Sequence, residues 1–142
     1  MMISSLPISS WAADDMLCPG MVAVQQTTSM AYEGFTVSFR SSKYRLKAIN
    51  FYEGHPSRLF VLKFDEQTER RKHGNSPKEN WSALWRFQSI GPDGIWFVCE
   101  YEDTTMILTR QVPSASSQCE ISYETTSAAR TAYPVIKSSR CK

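Results

Sequence analysis

Along this chain apolar residues tend to return at every second position. Gly34 to Arg40 sets Phe35, Val37 and Phe39 against Thr36 and Ser38, the period of a half-buried strand. Met21 to Gln26 is a shorter alternating segment. Tyr44 to Tyr52 is a longer one, with Tyr44, Leu46, Ala48 and Asn50 opposed to Arg45, Lys47, Ile49 and Phe51. Glu53-Gly54-His55-Pro56 interrupts before Leu59 to Phe64 resumes strand character. Trp81 to Phe87 puts Trp81, Ala83, Trp85 and Phe87 on one face and ends at Gly91-Pro92-Asp93-Gly94, a turn signal. Ile95 to Tyr101 is the most apolar run and reads as a central strand, reversing at Glu102-Asp103 into Thr104 to Arg110. Gln118 to Thr125 and, after a small-residue loop from Thr126 to Ala132, Val135-Ile136 complete the set.

The alternation stops in one place. Asp65 to Asn80 contains no aliphatic residue and no Phe, Tyr or Trp. A polar stretch of that length inside a compact domain is uncommon and usually functional or mobile. It accommodates a short exposed helix over Glu66 to Lys72 ended by Gly74, or a solvated connector. About eight short strands with regular turn signals predict one mostly-β domain over residues 14–142. Its expected form is an antiparallel β-sandwich or a partly closed β-barrel, with at most one or two short helices.

Composition narrows the function classes. The chain has 142 residues, 42% hydrophobic and 21% charged, enough for one domain with a real core. Aromatics reach 12%, which favours strands and a binding surface. A net charge of +2 with scattered Lys and Arg gives no nucleic-acid footprint. No run of eighteen apolar residues exists to form a membrane-spanning helix.

Met1 to Ala13 is weakly apolar and ends in small residues before Asp14 and Asp15; Ser10 and Ala12 suit the positions preceding a signal-peptidase cut. The basic start and most of the apolar segment are missing, so residues 1–13 read as the remnant of a secretory signal or as a disordered arm. Cys18, Cys99, Cys119 and Cys141 favour export. They are even in number, widely spaced and include no C-x-x-C pair, so two disulfides in an oxidising periplasm fit better than four buried cytosolic thiols. With only His55 and His73 to assist, no metal or other cofactor is expected. If the last two strands are antiparallel, Cys119 faces Cys141, leaving Cys18 for Cys99. Cys99 with Cys119 and Cys18 with Cys141 is the alternative.

Chemistry is harder to find. There is no G-x-S-x-G, G-x-x-x-x-G-K or H-E-x-x-H motif. Both histidines read as surface residues, and Glu100, Glu102 and Asp103 as a solvated hairpin tip. The expectation is a binding protein, not an enzyme. Its candidate contact residues are Asp65, Glu66, Glu69, Arg70, Arg71, Lys72, His73 and Lys78 of the polar stretch, where Arg can engage carboxylates in two bonds at once. Tyr52 or Trp96 are candidate exposed anchors, while most aromatics belong to the core.

Several segments together carry a resemblance: Cys18-Pro19, then Y-R-L-K-A-I-N-F-Y-E-G-H-P (Tyr44–Pro56), Trp81, W-F-V-C-E-Y-E-D-T-T-M-I-L-T-R (Trp96–Arg110), C-E-I-S-Y (Cys119–Tyr123) and I-K-S-S-R-C (Ile136–Cys141). The chain resembles a family of small secreted proteobacterial four-cysteine proteins, some associated with type VI secretion islands. The resemblance implies an immunity protein that neutralises a peptidoglycan-targeting effector in the periplasm, with a protein partner and no catalytic residues to transfer. A periplasmic lysozyme inhibitor is the second reading, and an envelope enzyme with an unrecognised site the third.

Overall fold

The structure is a computed structural model that describes residues 16–25, 28–38, 43–126 and 134–142. The expected signal remnant at residues 1–13 lies outside them, as do Gln26, Phe39, Arg40 and most of the Thr126–Ala132 loop. The described strands are β1 (Met21–Ala23), β2 (Lys43–Glu53), β3 (Val61–Leu62), β4 (Glu66–Gln67), β5 (Arg71–Lys72), β6 (Lys78–Arg86), β7 (Ile95–Tyr101), β8 (Ile107–Gln111), β9 (Gln118–Thr126) and β10 (Val135–Cys141). One turn of 3-10 helix, Pro56–Arg58, is the helical element among the described residues.

These strands form two antiparallel sheets. The first runs β1-β2-β7-β8, with β3 on the same side of β2 as β1; the second runs β10-β9-β6-β4, with β5 also on β6. The architecture is the expected antiparallel, mostly-β one. The core lies between the sheets. Phe51 is fully buried, its ring 5.0 Å from Trp85 and 5.7 Å from both Phe87 and Phe97. Offset and edge-on packing of this kind adds to the burial energy of each ring. Trp85 Nε1 donates to the Leu62 carbonyl at 3.1 Å, satisfying the polar end of a buried indole.

Strand β2 departs from its expected faces. A bulge between Leu46 and Ala48 shifts the register against β7. Tyr44 and Leu46 before it, and Ile49 and Phe51 after it, therefore all pack on the core. One extra residue at Lys47 reconciles two alternation phases in a single strand.

Other elements correct the reading of the sequence. The Gly34–Arg40 segment is not a strand over its described residues, and Phe35 is 81% exposed. Its alternation meets no neighbouring strand, so no ladder forms; Phe35 N–H instead closes a turn onto the Tyr32 carbonyl at 3.1 Å. No helix covers Glu66 to Lys72. That segment has no apolar stripe to bury as a helix, whereas the edge of β6 offers free backbone partners. β4 and β5 take them, aided by Asp65 N–H to Leu84 O at 2.8 Å and Thr68 N–H to Ser82 O at 2.9 Å. β6 accordingly starts at Lys78, not Trp81, and only Val61–Leu62 of Leu59–Phe64 is strand.

Two disulfides are present, in the preferred pairing. Cys119 and Cys141 stand opposite each other in the β9–β10 register with Cα atoms 4.1 Å apart. Cys18 joins Cys99 on the central strand β7, Cα atoms 5.9 Å apart. Tyr101 Oη donates to the Pro19 carbonyl at 2.9 Å and Leu46 N–H to the Gly20 carbonyl at 2.8 Å, which hold the same N-terminal segment.

Candidate functional site

The polar segment forms one wall of a groove of about 560 Å³ on the second sheet. Thr68, Glu69, Arg71 and His73 line it on one side; Asn80, Ser82, Ser122, Glu124 and Lys137 come from the sheet. Most of the charges expected to meet a partner are tied down internally. Asp65 accepts from the Arg86 backbone N–H at 2.6 Å, and Glu66 pairs with the Arg86 guanidinium at 2.6 Å. Lys72 lies 3.7 Å from Glu79, and Lys78 lies 3.4 Å from Glu124, which Lys137 approaches from the other oxygen at 3.9 Å. Arg70 sits 5.6 Å above the Trp81 ring. That leaves Glu69, Arg71 and His73 lining the groove with no side-chain ion pair among the described residues.

Beneath the groove Trp81 stacks on its cross-strand neighbour Tyr123, centroids 4.2 Å apart. Burial pushes the Tyr123 phenol up to about 12 from its ordinary 10.0. The fold thus favours the neutral phenol: this stabilisation is complete below pH 10.0 and is lost as pH rises through about 12. In a spectrophotometric titration Tyr123 should ionise near pH 12, and Tyr123→Phe should abolish that step.

The first sheet presents a different surface. Antiparallel partners project to the same side, so its outer face carries three rows. They are Val61–Tyr52–Trp96–Gln111, Asn50–Val98–Thr109 and Ala48–Glu100–Ile107. Val98 at the centre is fully buried. Glu100 Oε1 accepts from Asn50 Nδ2 at 2.9 Å and from Tyr52 Oη at 3.4 Å. Burial raises the Tyr52 phenol above its ordinary range, and the charge and hydrogen bond of Glu100 add to the effect. Trp96 Nε1 donates to the Asp93 carbonyl at 3.1 Å, and His55 packs edge-on to the indole with centroids 5.1 Å apart.

Beside these rows Leu59, Phe60 and Val61 are 76%, 65% and 51% exposed. Their projection is built in. Leu59 takes φ of 61°, a left-handed conformation unfavourable for a bulky side chain. It is held there by Leu59 N–H to Pro56 O at 3.0 Å and Glu53 N–H to Phe60 O at 3.0 Å. Leu59–Phe64 reads as strand from its sequence, and the adjacent Gly54 and Pro56 are the signals there of this apolar tip. Tyr52 and Trp96 do lie on the tip's side of the molecule, although Tyr52 is buried rather than exposed.

No group of three or more His, Cys, Asp or Glu side chains among the described residues is arranged to hold a metal ion. No curated protein and no solved structure is significantly similar to the chain. The profile of one family, described as Type VI secretion system Tli immunity protein, matches residues 40–142. The match takes in the bulged β2, the polar segment, both outer faces and three of the four cysteines. By this match, which covers well over half its length, the chain belongs to the Type VI secretion system Tli immunity protein family.

Proposed function

We propose that this protein is a periplasmic, non-catalytic inhibitor that binds a type VI secretion effector and keeps it from acting on its own cell. The observation that carries this reading is the family match over residues 40–142. An immunity protein must meet its effector where the effector works. Two disulfides, Cys18–Cys99 and Cys119–Cys141, suit an oxidising compartment such as the periplasm. The periplasm also holds the peptidoglycan that the resemblance implies as the effector's target. No described helix is long and apolar enough to cross a membrane. An inhibitory role needs only a complementary surface, and both the groove and the outer face of the first sheet offer side chains for one.

The test is co-expression. Cells exporting the effector encoded beside this gene should survive when they also export this protein and lyse or arrest when they do not. Equal loss of viability in both would refute the reading.

A further inference from the structure

Resting on the inhibitor reading, we propose that the effector docks on the outer face of the first sheet, across Trp96, Ile107 and the Leu59–Val61 tip, and supplies a basic side chain to Glu100. The two sheets treat their outer faces differently. An antiparallel sheet with one face on the core normally turns polar residues outward. The second sheet does so: Lys78, Asn80, Ser82 and Arg86 stand beside Thr126, Glu124, Ser122 and Gln118, and Leu84 beside Glu120 is the apolar exception. The first does so only at its β1 end, where Lys43 and Arg45 stand beside Ala23 and Met21. Beyond the β2 bulge, six of the ten residues in its three outer rows are apolar or aromatic, and none is Lys or Arg.

Glu100 is the one charged side chain in those rows. Its Oε1 is held by two neutral donors, and it makes no ion pair among the described residues. Water can solvate it while the face is open. A partner covering Trp96, Ile107 and Val61 would strip that water and leave an uncompensated carboxylate unless it brings a cation. Charge complementarity therefore selects a partner surface with Arg or Lys set among apolar side chains. Arg fits best, because its planar fork can bond the carboxylate while stacking near the indole. Trp, the type at position 96 of this patch, is among the residues that most often dominate binding energy. The polar segment is the weaker docking candidate, since most of its charges are already satisfied internally.

The experiment measures binding of the purified, oxidised protein to the purified effector encoded beside its gene. Glu100→Lys should weaken binding by about 100-fold. Glu100→Gln, which keeps the shape and the accepting oxygen, should weaken it by about 10-fold and flatten its salt dependence. Glu120→Lys, on the outer face of the second sheet, should change it by less than about threefold. Thermal unfolding of each variant confirms the fold, and Glu100→Gln carries the test should Glu100→Lys not fold. Wild-type-like affinity and salt dependence for Glu100→Gln would overturn the proposal. So would an Arg71→Ala or Glu120→Lys variant that loses as much affinity as Glu100→Lys. A wild-type protein that does not bind the effector at all would sink the inhibitor reading, and this proposal with it.

Discussion

Reducing both disulfides is expected to unfold this protein at about 37 °C. Cys18–Cys99 closes a loop of 81 residues and Cys119–Cys141 one of 22. By loop-closure entropy these contribute about 4–5 and about 3 kcal/mol respectively. A domain of this size has only about 5–15 kcal/mol in total, so losing both removes most of the margin. The two bridges should also differ in consequence. Cys119 and Cys141 are already juxtaposed by the β9–β10 ladder, so their pairing adds to contacts that persist without it. Cys18 tethers a segment otherwise held by the three-residue β1 pairing, two hydrogen bonds and the buried Met16. The Cys18→Ala/Cys99→Ala variant should therefore lose more stability than Cys119→Ala/Cys141→Ala. Urea denaturation of the oxidised, reduced and paired-mutant proteins measures this; an unchanged midpoint on reduction would contradict it.

Phe51→Ala should be the most damaging single substitution in the core, at about 3–5 kcal/mol. The side chain is fully buried and meets Trp85, Phe87 and Phe97. Those three rings belong to or adjoin β6 and β7, so the cavity would open where the two sheets meet and could not easily collapse. Phe60→Ala is the matched control. Phe60 is 65% exposed, and its removal should change stability by less than about 0.5 kcal/mol. Comparable losses for the two variants in denaturant unfolding would show that Phe51 is not the centre of the core.

The parts of this fold legible in the sequence are those where one face is buried and the other is not. Trp81–Phe87 and Gln118–Thr125 alternate, Ile95–Tyr101 is the most apolar run, and each is a central strand. Antiparallel pairing of the last two strands sets Cys119 against Cys141, as the sequence predicts. What escaped was structure made by backbone groups alone. β4 and β5 are polar pairs docked on an edge, and edge pairing leaves no hydrophobic pattern to read. The bulge at Lys47 escaped because a slip of one residue exchanges faces without changing composition. Phe35 and Val37 erred in the other direction, since alternation predicts a strand only where a ladder is available.

The candidate site was legible in its ingredients but not in its arrangement. The polar segment did become a groove wall, yet Tyr123, Glu124 and Lys137 reach that groove from strands more than forty residues later. Glu100 read as a solvated hairpin acid; only the pairing of β2 with β7 sets it beside Asn50 and Tyr52. Leu59 and Phe60 read as the start of a strand, and a left-handed backbone at Leu59 turns them outward.

The proposed role is protection of a cell from a type VI effector in the periplasm. Its most direct measurement is the survival of cells that export the effector while making this protein either with an export signal or without one. Full survival with the exported form and none with the cytosolic form is the predicted result. Death in both cases, or protection by the cytosolic form alone, would contradict it.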